Sequence, residues 1–152
     1  MKKIIIYVLL LSAVLLLPLQ GTDVGKLLPV EVIQIYKEND TLVLKTDVGA
    51  TGTGATVDAV IRSLKETAAG TIYLDTAEYL LVEEGAKEAV PELKDHLKYI
   101  IYFCCTDGKA DLKDAAEFLP VHRPSTRLMD YISWQELEFL AVEDGRMILK
   151  EN

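Results

Sequence analysis

The chain has 152 residues, half of them hydrophobic, and a formal net charge of -8. This length is enough to bury a core without metal or disulfide staples. The acidity argues against binding to nucleic acid and against electrostatic binding to anionic lipid, because phosphates repel a negatively charged surface.

The first 21 residues predict an export leader. Lys2 and Lys3 precede an apolar run from Ile4 to Leu17, and a basic start before a short apolar core is typical of a signal peptide. Leu19-Gln20-Gly21 matches a small-x-small cleavage site poorly, so a retained membrane anchor stays open, with a buried core helix as the third alternative. The first two alternatives put the rest of the chain outside the cytoplasm.

The end of the leader is similar to a bacterial lipoprotein junction. Leu19-Gln20-Gly21-Thr22 matches the pattern Leu-x-Gly-Cys except that threonine stands at the lipid-bearing position. Membrane attachment is therefore expected to depend on the leader and not on a lipid. The predicted organisation is a signal peptide or anchor at 1–21, a tether at 22–29 and a single acidic domain at 30–152.

The first half of the domain predicts a hairpin, a loop and a helix. Val30–Tyr36 and Thr41–Thr46 flank the turn residues Asn39-Asp40, which favours an antiparallel hairpin. A glycine-rich loop, Gly49–Ala55, follows. Thr56 then caps a helix that is expected to end at a left-handed cap on Gly70; the apolar face of this helix comprises Val57, Val60, Ile61, Leu64 and Ala68.

The middle of the chain predicts two short strands, a helix and a buried strand. Thr71–Leu74 and Glu78–Val82 favour extended structure, although a helical alternative stays open for either. Gly85–Leu97 has helical spacing, with Pro91 expected to kink or restart the helix. Tyr99–Cys105 is apolar on both sides of the pleat, which is typical of a central strand.

The last third predicts two short helices and a second hairpin. Asp111 and Ser125 are the expected N-caps of the helices. Phe139–Val142 and Arg146–Leu149 flank Asp144-Gly145, a strong hairpin signal. The predicted fold class is α/β at the border with α+β: a single domain with a mixed sheet, three to four packed helices and hairpins at both ends.

The glycine-rich loop is a candidate ligand site. It lies between a predicted strand and a helix, where the amides around Gly52, Gly54 and Thr56 can hold a phosphate or another small anion. However, the dinucleotide fingerprint needs glycine where Val57 stands, and no P-loop lysine follows. The alternative is a flexible connection without a ligand.

The other reactive residues give no catalytic motif. Cys104 and Cys105 are adjacent in the predicted central strand, which favours two small buried thiols over a thiol-dependent enzyme. His96 and His122 favour solvated positions, and we expect no catalytic triad, no metal site and no cofactor. The pair Glu83-Glu84 favours a solvated face over general acid-base catalysis.

Trp134 is the aromatic residue expected to be most exposed. It lies beside a polar segment, near the end of the predicted short helix that Ser125 begins. An exposed tryptophan can anchor a partner protein. Core filling is the alternative.

Two segments resemble a known family. Gly54–Leu64, with its threonine-capped helix, and Ile72–Ala86, with its Tyr-Leu and Glu-Tyr-Leu-Leu-Val pattern, resemble the N-terminal domain of the C-subunit lipoproteins of spore germination receptors. A turn at Gly108-Lys109-Ala110 agrees with the same order of elements. The resemblance covers about residues 30 to 120, whereas Thr22 departs from the family's lipid-bearing cysteine and the family's further domains are missing here.

The resemblance implies a non-enzymatic, membrane-associated role outside the cytoplasm of an endospore-forming bacterium, with protein partners. It names no catalytic residues. Together with the leader, it predicts an exported binding or assembly module at the outer membrane face or in the spore envelope. A thiol-dependent enzyme at Cys104 and Cys105 and a small-anion binder at Gly49–Thr56 are the alternatives.

Overall fold

A mixed sheet forms the centre of the molecule. The computed structural model describes residues 26–98, 100–143 and 146–150. The strands in this part of the chain are β1 (Leu27–Pro29), β2 (Val32–Glu38), β3 (Thr41–Thr46), β4 (Thr51–Gly54), β5 (Thr71–Tyr73), β6 (Tyr79–Glu83), β7 (Tyr102–Thr106), β8 (Phe139–Glu143) and β9 (Arg146–Lys150). Seven of them form one sheet in the order β4-β3-β2-β6-β7-β8-β9, and β1 pairs with β5 separately.

The sheet is parallel at its centre and antiparallel at its edges. β2, β6, β7 and β8 run parallel to one another, whereas β3 and β4 on one side and β9 on the other run antiparallel to their neighbours. This arrangement confirms the predicted mixed sheet and the α/β class at its border with α+β.

Both hairpins are confirmed. The turn between β2 and β3 places Asn39 and Asp40 at φ of 49° and 61°, the positive values that a tight two-residue hairpin turn requires. β8 and β9 pair antiparallel over five residue pairs. The turn residues Asp144-Gly145 lie outside the described part of the chain.

Three α-helices cover the sheet in the described residues: α1 (Val57–Thr67), α2 (Val90–Leu93) and α3 (Leu112–Phe118). Thr56 caps α1 by accepting the N–H of Ala59 at 3.3 Å. Asp111 caps α3 by accepting the N–H of Lys113 at 3.0 Å. Both caps are therefore as predicted, since each satisfies a backbone donor that the first helical turn leaves open.

The helix predicted at Gly85–Leu97 is interrupted. A 3₁₀ segment, Glu84–Ala89, precedes α2, and Pro91 lies in the first turn of α2. This is the predicted restart, because proline is tolerated where the N–H has no helical partner.

Two features of the N-terminal half differ from the prediction. The tether at 22–29 is wrong in its last residues, because Leu27–Pro29 form β1 and pair parallel with β5. Gly70 is not a left-handed cap: α1 ends at Ala68 in extended conformation. A Cβ on Gly70 would lie 2.5 Å from the carbonyl oxygen of Lys26, so glycine lets the chain before β1 pass close to this turn.

Two features of the C-terminal half also differ. Ser125 caps no α-helix; its hydroxyl donates to the Glu138 carboxylate at 3.0 Å. Within the described residues between Ser125 and Trp134, the only helical element is a 3₁₀ turn at Leu128–Asp130. The central strand begins at Tyr102 and not at Tyr99, which lies outside the described residues.

The sheet has a separate apolar core on each face. One core packs β2, β3, β6 and β7 against α1 and α2, and we call this the α1 face. The other is smaller and packs the sheet against α3, and we call it the α3 face. Cys104 belongs to the α3 core and Cys105 to the α1 core, and both are buried free thiols, as predicted.

The predicted leader, residues 1–21, lies outside the described part of the chain. Within the part that is described, no helix is long and apolar enough to cross a membrane.

Candidate functional site

A cleft opens at the carboxyl ends of β6 and β7. The chain leaves β6 towards the α1 face, where Ala86, Val90 and Leu93 enter that core, and leaves β7 towards the α3 face, where Leu112 and Ala115 pack. When two neighbouring parallel strands send their connections to opposite faces, a crevice forms outside their ends, and such crevices are the usual ligand sites of open α/β sheets.

The cleft has a volume of about 630 Å³ and a mixed polar and aromatic lining. Its described lining residues are Glu83, Glu84, Gly85, Lys87, Cys105, Thr106, Asp107, Trp134 and Phe139. Three carboxylates and one ammonium group give this lining a formal charge of -2. A cleft with one dominant sign of charge concentrates ligands of the opposite sign.

The acidic side chains come from the ends of the two strands. Glu83 ends β6, and its carboxylate accepts the N–H of Lys37 at 3.3 Å, which ties it to the end of β2. Glu84 begins the 3₁₀ segment and lies 3.7 Å from the ammonium nitrogen of Lys87, with its side chain 75% exposed. An ion pair this exposed is weak, so the Glu84 carboxylate can still bind a cationic group of a ligand.

The loop after β7 is held by a buried glutamine. Gln34 on β2 is fully buried, its amide nitrogen donates to the carbonyl of Gly108 at 2.6 Å, and its amide oxygen accepts the N–H of Ala110 at 3.2 Å. The hydroxyl of Thr106 donates to the same Gly108 carbonyl at 3.1 Å. These bonds fix the turn that carries Asp107 into the cleft.

Two aromatic residues, Trp134 and Phe139, also line the cleft. Phe139 begins β8 and lies beside Cys105 in the sheet register. The ring centroid of Trp134 is 6.3 Å from that of Phe103 in an edge-on arrangement. Trp134 is half-buried and packs against the α1 core, which agrees in part with the alternative of core filling. Partner binding by Trp134 stays a prediction.

The surroundings of the Cys105 thiol in the cleft disfavour its thiolate form. The Cys105 Sγ donates to the carbonyl of Glu138 at 3.3 Å, and burial, with a smaller contribution from the nearby Glu84 carboxylate, raises its pKa to about 11. Burial also raises the pKa of Cys104, which is buried in the opposite core. A thiol with a pKa of about 11 is ionised in roughly one molecule in ten thousand at neutral pH, and the thiolate is the nucleophile.

The glycine-rich segment has a different geometry from the predicted loop. Gly52 and Gly54 lie on β4, and a Cβ on Gly52 would be 2.2 Å from the Val60 carbonyl oxygen of α1. At the start of α1, the N–H groups of Asp58 and Ala59 bond the Glu92 carboxylate and the Thr56 hydroxyl. The glycines thus allow close strand–helix packing, and these donors are already used; anion binding at this segment stays a prediction.

A shallow depression of about 360 Å³ beside this segment is lined by Leu28, Val48, Gly49, Ala50, Thr51, Thr67, Ala68 and Ala69. None of these described lining residues carries a charge. An anion here would lack the cationic partner that phosphate sites usually provide.

Sequence patterns identified part of this site. Trp134 and the acids Glu83-Glu84 were singled out as separate features, but their convergence depends on sheet order, which local spacing does not encode. Gln34 was missed because a single glutamine on a half-buried strand gives no signal until its partners, 74 and 76 residues away, are known.

Comparisons with protein-family models, with curated proteins and with solved structures find no match for this chain. The resemblance to the germination receptor lipoproteins therefore stays a prediction.

Proposed function

We propose that this protein is an exported, non-catalytic binding module that accepts a positively charged segment of a protein partner in the cleft between β6 and β7. The observation that carries the proposal is the lining of this cleft, which combines the three carboxylates of Glu83, Glu84 and Asp107 with two aromatic side chains. Carboxylates bind lysine and arginine head groups, and aromatic rings bind the same cations through their faces and pack on their stems.

The chemistry of the cleft weighs against catalysis. The thiol of Cys105 is protonated near neutral pH and bonded to a carbonyl, and the described lining includes no histidine to activate it. General bases of this kind must lie within hydrogen-bond reach of the group they activate. Binding without bond breaking is the function that fits these groups.

The export leader supports a location outside the cytoplasm, at the membrane or in the spore envelope. The resemblance to the germination receptor lipoproteins supports the same location and protein partners. N-terminal sequencing of the native protein tests the attachment. A chain beginning near Thr22 would mean release, and an intact Met1 would mean an anchor.

Fluorescence of Trp134, the single tryptophan of the chain, tests the binding. Tetralysine titrated into the full-length protein at low salt is expected to change the emission in a saturable manner, whereas tetraglutamate is not. Each exposed ion pair contributes about 0.2–1 kcal/mol. The double variant Glu84→Gln, Asp107→Asn is therefore expected to bind tetralysine about two- to thirtyfold more weakly.

A matched control removes the same charge elsewhere. Glu66 on α1 and Glu117 on α3 are both exposed and lie outside the cleft. The double variant Glu66→Gln, Glu117→Gln is expected to keep the affinity of the wild type within a factor of two. Equal weakening by both double variants would show that binding depends only on the net charge of the protein, and would contradict the proposed site.

A further inference from the structure

Three potential metal ligands converge between α1 and α2. The Nε2 of His96 lies 3.0 Å from a carboxylate oxygen of Asp58. One ligand atom from each of Asp58, Glu92 and His96 lies within 4.8 Å of the other two. Asp58 lies in the first turn of α1, Glu92 lies on α2 and His96 lies in the turn that follows α2.

We propose that Asp58, Glu92 and His96 form a binding site for a divalent transition-metal ion, with zinc as the best-fitting ion. One imidazole and two carboxylates form a donor set that zinc accepts, whereas calcium and magnesium prefer oxygen ligands alone. The two carboxylates carry a formal charge of -2, which matches the charge of the ion. This site is separate from the cleft and does not depend on the proposed function.

The three ligand atoms need to move only slightly closer together to coordinate one ion. Zinc bonds imidazole nitrogen and carboxylate oxygen at about 2.0–2.2 Å, so ligand atoms of a tetrahedral site are about 3.3 Å apart. The Nε2 of His96 and the Asp58 carboxylate are already this close, so the remaining approach, at most about 1.5 Å, involves Glu92. The Glu92 carboxylate is partly buried and accepts the N–H of Asp58 at 3.4 Å, a long bond that coordination of an ion would replace. His96 also borders a cavity of about 180 Å³, which provides room for a water ligand.

The backbone keeps two of the ligands in register. The N–H of His96 donates to the Leu93 carbonyl at 3.1 Å, and the N–H of Leu97 to the same oxygen at 3.0 Å. Helical winding therefore continues past α2, and Glu92 and His96, four residues apart, lie on the same side of it. Asp58 then joins them from α1, so a bound ion would link the two helices of the α1 face.

Calorimetric titration of zinc chloride into the full-length protein, after removal of metals with a chelator, tests the site. One zinc ion is expected to bind per chain. His96→Gln and Glu92→Gln are each expected to weaken binding at least tenfold. The matched control is His122→Gln, which removes the only other histidine of the chain and is expected to change the affinity less than twofold.

The ring C–H signals of the two histidines give a second readout, independent of how stable each variant is. In the wild type, zinc is expected to shift the signals of His96 and to leave those of His122 in place. Calcium or magnesium at a hundredfold excess is expected not to displace zinc. Absence of 1:1 binding at about 1 mM zinc, equal weakening by both histidine variants, or displacement by calcium would overturn the proposal.

Discussion

Gly52→Ala is expected to destabilise the fold because β4 packs on α1 without room for a side chain. The added Cβ would lie 2.2 Å from the Val60 carbonyl oxygen and 2.7 Å from the Leu64 backbone nitrogen. Both contacts are far inside van der Waals range. Because both atoms belong to the helix backbone, neither can rotate away, and the strand must withdraw by about 1 Å.

Overpacking of this kind costs about 1–3 kcal/mol, and a clash with backbone belongs at the upper end of that range. Replacement of glycine by alanine also restricts the unfolded chain, which stabilises a protein by about 0.4–1 kcal/mol where the site tolerates the methyl group. The net expectation for Gly52→Ala is a loss of about 2 kcal/mol in the free energy of unfolding.

Urea unfolding followed by Trp134 fluorescence measures this loss. With a slope of about 1–3 kcal/mol per molar urea, the midpoint is expected to fall by about 0.7–2 M. Gly108→Ala is the matched control, because a Cβ there meets nothing within 4 Å, and its midpoint should stay equal or rise. A Gly52→Ala midpoint at or above that of the wild type would refute the packing explanation and favour the alternative of a ligand-binding loop.

Three further outcomes follow from the same contacts. The rate at which iodoacetamide modifies Cys105 in the native protein is expected to rise about tenfold per pH unit, up to the thiol pKa of about 11. Rapid labelling at neutral pH would contradict a buried, protonated thiol. Gln34→Leu is expected to cost about 1–3 kcal/mol, because the Ala110 N–H loses its partner and the Gly108 carbonyl keeps only the Thr106 hydroxyl. An unchanged urea midpoint would contradict this role. Burial, with Asp47 and Glu78, raises the pKa of the Glu31 carboxyl, so its contribution to stability falls as pH rises from its unfolded pKa through the higher native pKa. Glu31→Gln should therefore lose less stability than the wild type as pH rises above the ordinary glutamate pKa of about 4.3, and equal losses would contradict the shift.

Local patterns predicted most of the secondary structure. Asn39-Asp40 fixes the first hairpin through its positive φ values, and Thr56 and Asp111 begin helices by satisfying open backbone donors. These signals act over a few residues, so the sequence displays them directly. The prediction was wrong where a contact between residues far apart in the chain determines the secondary structure. Part of the predicted tether is a strand, β1, because it pairs with β5.

The glycines of β4 show why the candidate site was harder to predict. A strand–glycine–helix pattern favours both a phosphate loop and close strand–helix packing, and only the distance from Gly52 to α1 separates the two. The cleft itself arises because β6 and β7 send their connections to opposite faces. That property belongs to the order of the strands and not to any one segment.

Amide chemical-shift mapping with tetralysine shows directly whether a basic segment binds in the cleft between β6 and β7. The largest shifts in the full-length protein are expected in the cleft, at Glu84, Gly85, Asp107 and Phe139. At the same tetralysine concentration, these shifts are expected to be smaller in the Glu84→Gln, Asp107→Asn variant. Shifts scattered over all exposed acids, or concentrated in residues 49–56, would contradict binding in the cleft.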